Sequence, residues 1–254
     1  MNIDYRGKTV LVTGSSSGIG RAIAQAFAES NATVAVHYHS NENGGKETLN
    51  SLTGEGHIVV QGDISQPDEA SRIVEEVVTG LDRMDILVNN AALIEQFNFD
   101  DLSYEEWVSV WDRTLGANLL GHTNVTFCAA KQMKAQGGGK IVNISSRGAF
   151  RGEPTAPAYG ASKAGMNAFG QSMAQALIKH NIFIYTLAPG YVETERVAPI
   201  LEGPEGENIK NQSPFGRVAK PEEVARAAVL LASEGTDFMT GCIVDINGAS
   251  YLRT

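Results

Sequence analysis

Residues 9–20 read Thr-Val-Leu-Val-Thr-Gly-Ser-Ser-Ser-Gly-Ile-Gly, an apolar run that ends in a glycine-rich turn. The run Thr9–Thr13 predicts a buried strand, and apolar residues at every fourth position after the turn, Ile19, Ile23 and Phe27, predict a helix from Gly18 to about Ser30. Glycines at such a turn let the backbone approach a pyrophosphate, and the helix N-terminus supplies amide donors. The stretch therefore predicts the strand–turn–helix unit that opens a nucleotide-binding α/β domain.

The rest of the chain alternates short apolar runs with longer helical segments. Strands are predicted at 9–13, 33–36, 58–61, 85–89, 140–145, 182–188 and 243–246. Helices are predicted at 18–30, 43–52, 67–79, 102–136 (one or two helices), from 159 onwards, and at 221–232. This order indicates an α/β fold: a doubly wound, Rossmann-like parallel sheet of about seven strands with helices on both faces. We expect residues 1–254 to form a single domain, with residues 193–218 as a substrate-binding flap within it.

Composition narrows the class of protein. The 254 residues carry a net charge of −9, with 43% hydrophobic and 19% charged residues, which argues against a broad nucleic-acid or anionic-membrane surface. The two cysteines, Cys128 and Cys242, lie far apart and imply no disulfide framework. Charged residues precede the first apolar run, so no signal peptide is predicted, and no apolar run reaches transmembrane length. We expect a cytoplasmic protein.

Tyr159 and Lys163 lie four residues apart in a segment that contains no proline until Pro189. On a helix this spacing places the phenol and the ammonium on one face. A neighbouring cation favours the phenolate and lowers the pKa of a tyrosine, which makes it a usable general acid or base. A solvated surface pair is the alternative interpretation.

The segment at the end of the second predicted strand bears on the choice of cofactor. An acidic residue about 20 positions after the glycines binds the 2′-hydroxyl of NAD. Here the sequence is His37-Tyr38-His39-Ser40-Asn41, and the first acid is Glu42. No carboxylate would repel a 2′-phosphate, although no Arg or Lys is present to bind one. We favour NADP and leave NAD open. The histidines lack the partners that a metal site needs, so no metal is expected.

Several motifs, in order and at matching spacing, resemble the classical short-chain dehydrogenase/reductase family over nearly the whole chain. They are Thr13–Gly20 (Thr-Gly-x-x-x-Gly-x-Gly), Asp63, Asn89-Asn90-Ala91-Ala92 with Ala92 in place of glycine, Asn118, the strand 141–146 (Ile-Val-Asn-Ile-Ser-Ser), Tyr159 with Lys163, and Pro189–Thr194. Ser146, rather than Ser145, has the family spacing to Tyr159. The Ala92 methyl group could disturb the local backbone.

The resemblance implies a function and a set of roles. Tyr159 would exchange a proton with the substrate oxygen, Lys163 would lower its pKa and bind the nicotinamide ribose, Ser146 would hydrogen-bond the substrate oxygen, and Asn118 would hold a water that links Lys163 to solvent. The residues expected at the dinucleotide are Gly14, Ser16, Ser17, Gly18, Ile19, Gly20, His37, His39, Asp63, Ile64, Asn90, Ala91, Tyr159, Lys163, Pro189, Gly190, Val192 and Thr194. The substrate would be a carbonyl or secondary alcohol, such as a 3-oxoacyl thioester, a sugar, a polyol or a small ketone. The family also suggests a homotetramer, with contacts through the Asn118 and Tyr159 helices and the C-terminal strand.

Two interpretations of the chain compete at this point. The first is an NAD(P)-dependent oxidoreductase, and the second is a regulatory protein that senses the dinucleotide without turnover. The complete set of Ser146, Tyr159, Lys163 and Asn118 favours the enzyme. Arg147 and Arg151 have two open interpretations, contact with an acidic substrate and a surface role.

Overall fold

A computed structural model describes residues 3–253 of the chain. In this range a single parallel sheet contains seven strands: β1 (Thr9–Val12), β2 (Thr33–Tyr38), β3 (Ile58–Gln61), β4 (Ile86–Asn89), β5 (Gly139–Ile144), β6 (Ile182–Pro189) and β7 (Ile243–Ile246). Their order across the sheet is β3-β2-β1-β4-β5-β6-β7, and every neighbouring pair is parallel. The predicted doubly wound sheet is confirmed, with strand ends moved by one or two residues.

The connections between strands are helical. The helices of residues 3–253 are α1 (Gly18–Glu29), α2 (Glu42–Ser51), α3 (Pro67–Leu81), α4 (Tyr104–Leu115), α5 (His122–Ala135), α6 (Gly148–Arg151), α7 (Pro157–Leu177), α8 (Ala198–Glu202), α9 (Gly206–Lys210) and α10 (Pro221–Leu231). The predicted segment 102–136 is α4 and α5, joined by a π-helical turn at Gly116–Gly121. The short helices α6, α8 and α9 were not predicted, because four or five residues carry no measurable periodicity.

The strand residues alternate between two cores, one on each face of the sheet. In β1, Val10 and Val12 pack into the core that contains α1 and α10, whereas Leu11 packs into the core of α3, α5 and α7. All three side chains are fully buried. A strand that is buried on both faces reads as the continuous apolar run seen in the sequence.

The order in which the chain adds strands to the sheet reverses between β1 and β4. These strands are neighbours, although β2 and β3 separate them in the chain. Ligands of open α/β sheets bind at such a switch point, outside the carboxyl ends of the strands. The glycine turn follows β1 and the Asn89–Ala92 segment follows β4, so both lie at this edge.

The predicted flap, residues 193–218, contains α8 and α9 and has a small core of its own, formed by Leu201, Ile209 and Val218. Its base is fixed by a parallel bridge between Val192 and Ala219.

In residues 3–253 no helix combines the length and the apolar character needed to cross a bilayer.

Candidate active site

The glycine turn is closed against the end of β4. Gly14 has φ +63°, and a Cβ on it would lie 2.7 Å from Ala91 Cα. Thr13 Oγ1 accepts hydrogen bonds from the backbone amides of Asn90 (2.9 Å) and Ala91 (3.1 Å). A side chain at Gly14 would therefore be strained and would push the two loops apart. Ala92 is not among the residues with positive φ, so the methyl group that replaces the family glycine causes no backbone strain.

The side chain of His37 holds the glycine turn in place through hydrogen bonds. Its Nδ1 accepts a hydrogen bond from Gly14 N at 3.0 Å, and its Nε2 lies 3.0 Å from Gly62 O. The acceptor role of Nδ1 fixes the neutral imidazole with the proton on Nε2, which donates to the carbonyl. Burial lowers the pKa of His37 to about 4, so the ring is neutral at pH 7. His37 lines the cleft, yet both ring nitrogens serve the fold, a support role that the sequence did not predict.

Tyr159 and Lys163 lie on one face of α7, as their spacing predicts. Lys163 Nζ lies 5.8 Å from the centre of the Tyr159 ring and donates a hydrogen bond to Ile144 O at 2.8 Å. Lys163 is buried, so the pair is no solvated surface pair. Ser146 lines the same cleft, whereas the Ser145 hydroxyl is buried against α7 and donates to Lys163 O at 3.3 Å. The choice of Ser146 over Ser145 agrees with this geometry.

The pKa of Tyr159 departs from the sequence expectation. Withdrawal of the phenol from water raises its pKa, and this effect exceeds the lowering by a hydrogen bond with Ser146 and by the charge of Arg196. Lys163 is not among the groups that shift this pKa, so the expectation that it lowers the pKa of Tyr159 stays a prediction. Burial, and then the charge of Arg196, lower the pKa of Lys163 to about 7. Lys163 is thus only partly charged at neutral pH, and its amine is hydrogen-bonded to the Ile144 carbonyl.

Asn118 lies in the π-helical turn and is fully buried. Its Oδ1 accepts from Leu93 N at 2.7 Å, and its Nδ2 donates to Leu93 O at 2.7 Å and to Ser162 Oγ at 3.2 Å. The side-chain amide is therefore occupied in fixing the Leu93 loop to α7. Only the main chain of Asn118 is left to hold the water that the family resemblance implies.

Two residues that the sequence did not single out reach the site from the flap. Glu195 Oε2 accepts a hydrogen bond from Gly18 N, the first amide of α1, at 3.1 Å. Arg196 lines the cleft, and its positive charge acts on both Tyr159 and Lys163. The contact between Glu195 and Gly18 joins residues 177 positions apart, so no local pattern could have revealed it.

One cleft of about 1080 Å³ extends from the glycine turn to Tyr159 and Lys163. Every residue expected at the dinucleotide lines it, and so does Ser146; Asn118 lies behind its wall. Gly14 packs so closely against Ala91 that only glycine fits there. The turn leads directly into α1, so the backbone amides at the N-terminus of this helix lie at the cleft. The residues present therefore fit a nicotinamide dinucleotide. No group of three or more potential metal-ligating side chains occurs within residues 3–253.

The chain is similar to known proteins in both sequence and fold. A family model described as enoyl-(acyl carrier protein) reductase matches residues 14–249. The chain is 35% identical to the 3-oxoacyl-[acyl-carrier-protein] reductase of Aquifex aeolicus, over 99% of this chain and 100% of that protein. It is also 35% identical to an L-rhamnose 1-dehydrogenase (NAD(P)(+)) of Sphingomonas, over 97% of each chain. Among solved structures, a putative short-chain alcohol dehydrogenase of Sinorhizobium meliloti superposes with a TM-score of 0.90, at 32% identity and 97% coverage of both chains.

Proposed function

The chain belongs to the short-chain dehydrogenase/reductase family, and from this premise we propose that Ser146, Tyr159 and Lys163 carry out its proton chemistry beside a bound nicotinamide dinucleotide. As a member it is an NAD(P)-dependent oxidoreductase that acts on a carbonyl or a secondary alcohol. The observation that carries the assignment of residues is that all three line the cleft of the glycine turn. When bound, the dinucleotide supplies or accepts the hydride.

The proposed roles follow from the side chains. Tyr159 gives its phenolic proton to the substrate oxygen in reduction and takes it back in oxidation. Ser146, whose hydroxyl is close enough to the phenol to lower its pKa, also donates to the substrate oxygen where negative charge develops. Lys163 holds the nicotinamide ribose and passes protons towards solvent, with a water on the main chain of Asn118 as the next carrier. The raised pKa of Tyr159 keeps the phenol protonated at neutral pH, which suits reduction.

Replacement of Tyr159 tests these roles. Tyr159→Phe removes the only proton that the phenol can transfer and leaves the ring in place. We expect turnover to fall by about a hundredfold or more, because general acid–base catalysis contributes at least that much. Dinucleotide binding, measured by fluorescence titration, should change little. Substantial remaining turnover on a panel of carbonyls and alcohols, followed by dinucleotide absorbance, would refute the role of Tyr159.

NADP is the proposed cofactor. His39, Ser40 and Asn41 line the cleft at the end of β2, and no carboxylate stands among them. Glu42, the first acid, is exposed, lies outside the cleft lining and pairs with Lys46 at 2.6 Å. No carboxylate within residues 37–41 therefore opposes a 2′-phosphate; the nearest one in the cleft lining, Asp63, lies 3.9 Å from His39 Nε2. We expect NADPH to bind more tightly than NADH in separate titrations; a strong preference for NADH would contradict the proposal.

Assembly and location complete the proposal. We propose a homotetramer, supported by apolar side chains that are exposed in the single chain on α4, on α5 and near β7. Both cysteines are free, which supports a reducing, cytoplasmic location.

The relatives named above act on chemically different substrates, a 3-oxoacyl thioester and a sugar. The substrate must therefore be inferred from the residues of this cleft.

A further inference from the structure

Arg147 follows Ser146 directly and is buried in the wall of the cleft, with only 3% of its surface exposed. Its two terminal nitrogens donate to Ser250 Oγ and to Gln212 Oε1, both at 2.5 Å. The guanidinium carbon lies 5.2 Å from the centre of the Tyr191 ring, within range of a cation–π contact. All of these partners are neutral. The surface role considered for Arg147 is therefore excluded.

Within residues 3–253 this buried charge has no ion-pair partner. None of the ion pairs of residues 3–253 includes Arg147; the Glu153 carboxylate pairs with Arg151, with 3.7 Å between Nε and Oε1, and its charge reaches Arg147 only from beyond ion-pair distance. Burial lowers the pKa of Arg147, which reflects the cost of removing the cation from water. An arginine still keeps its proton at every physiological pH. An uncompensated buried cation is unfavourable, and an anion placed against it recovers part of that free energy.

Arg196 adds a second positive charge to the lining of the cleft. It lies on the flap, is exposed, and lines the cleft with Arg147. Its charge acts on Tyr159 and Lys163, which places it near the reacting groups. No ion pair of Arg196 occurs within the described range, whereas the flap residue Lys210 pairs with Glu207 at 2.9 Å.

We propose that the substrate carries an anionic group, a carboxylate or a phosphate, in addition to its reacting carbonyl or alcohol, and that Arg147 and Arg196 bind this group. The inference rests on the proposed function, since it places the second group beside Tyr159. Guanidinium N–H groups match the paired oxygens of both anions and bind them more strongly than they bind neutral acceptors. Arg147 would bind the anion from the wall of the cleft, and Arg196 would bind it from the flap.

The test measures binding without turnover. The intact protein, free and saturated with NADPH, is titrated calorimetrically with malonate, a carboxylate probe that lacks a ketone, and with inorganic phosphate. We expect at least one probe to bind, and Arg196→Gln to weaken that binding about tenfold or more, since hydrogen bonds between charged groups are the strong ones. Lys210→Gln, which removes a paired charge from the same flap, is the control and should bind the probe as the wild type does.

The outcomes separate the two anions and the competing explanations. Binding of malonate alone assigns a carboxylate, and binding of phosphate alone assigns a phosphate. The proposal is overturned if neither probe binds, if Arg196→Gln binds the probe like the wild type, or if this variant weakens NADPH and not the probe. Arg147→Gln, used only if it unfolds at the wild-type temperature, should lose the probe as well. Tyr159→Phe should keep it, so failure of the catalytic assignment and failure of the anion site are distinguishable.

Discussion

His37 shows how a single residue connects protonation to the glycine turn. Its neutral ring accepts from Gly14 and donates to Gly62, and protonation of Nδ1 would remove the acceptor. Its pKa is about 4 in the folded chain and near 6.5 when exposed. Between these values the unfolded chain binds a proton that the folded chain does not, so the stability due to this group is complete above pH 6.5 and decreases as the pH falls towards 4.

Replacement of His37 should therefore flatten the dependence of stability on pH. Between pH 6.5 and pH 5 this residue contributes on the order of 2 kcal/mol to the loss of unfolding free energy. His37→Asn keeps an acceptor near Gly14 but cannot titrate, so it should lose less stability over that interval. Chemical denaturation at both pH values measures the difference. His39→Asn, at a histidine whose side chain is 63% exposed, is the control; equal slopes for wild type and His37→Asn would contradict the assignment.

At the scale of elements, the flap is fixed to the first helix. The side chain of Ser17, the N-cap residue of α1, makes no capping hydrogen bond, and the first turn contains no acidic residue. Glu195 supplies a carboxylate there from the flap: Oε2 accepts from Gly18 N, and Oε1 lies 3.7 Å from an Arg21 nitrogen. A carboxylate is favourable at this end of a helix. In the proposed enzyme the same amide faces the pyrophosphate, so Glu195 and the dinucleotide compete for it.

Removal of that charge should favour the dinucleotide. Glu195→Gln keeps the size of the side chain and removes its repulsion of the pyrophosphate. We expect NADPH to bind several-fold more tightly, because a charge at a helix terminus is worth about 0.3–1 kcal/mol. Fluorescence titration measures the change. Glu193→Gln, an exposed residue two positions earlier, should bind NADPH like the wild type; weaker binding by Glu195→Gln would show that the carboxylate helps to hold the cofactor.

The same elements show what the sequence could predict. Apolar periodicity and glycine placement predict the seven strands and the long helices, because each signal lies within one segment. The positive φ values of Gly137 (+98°) and Gly138 (+147°) explain why the predicted stop after α5 is correct. The π-helical turn around Asn118 leaves no such signal, because it depends on contacts with Leu93 and Ser162 in other segments. For the same reason, the effect of burial on the pKa of Tyr159 could not be predicted from its spacing to Lys163.

At the scale of the whole molecule, several exposed side chains are apolar. Those on α4, on the π-helical turn and on α5 include Tyr104, Leu120 and Phe127, and Phe127 is 60% exposed. A second group, Phe238, Met239 and Leu252, lies around β7. β7 is the last strand of the sheet, and an edge strand offers unpaired backbone groups to another chain. These two surfaces lie on elements that the family resemblance assigns to contacts between subunits.

Charges placed on these two surfaces should divide the proposed homotetramer. A hydrophobic interface tolerates no unpaired carboxylate, because removal of that charge from water is costly. We expect Phe127→Glu and Phe238→Glu each to yield a smaller assembly, and the double variant to yield the single chain, as measured by light scattering after size-exclusion chromatography. Leu230→Glu introduces the same charge at an exposed position on α10 and should leave the mass unchanged. A wild-type mass of one chain, or a tetramer that resists both substitutions, would disprove that these surfaces hold the subunits together.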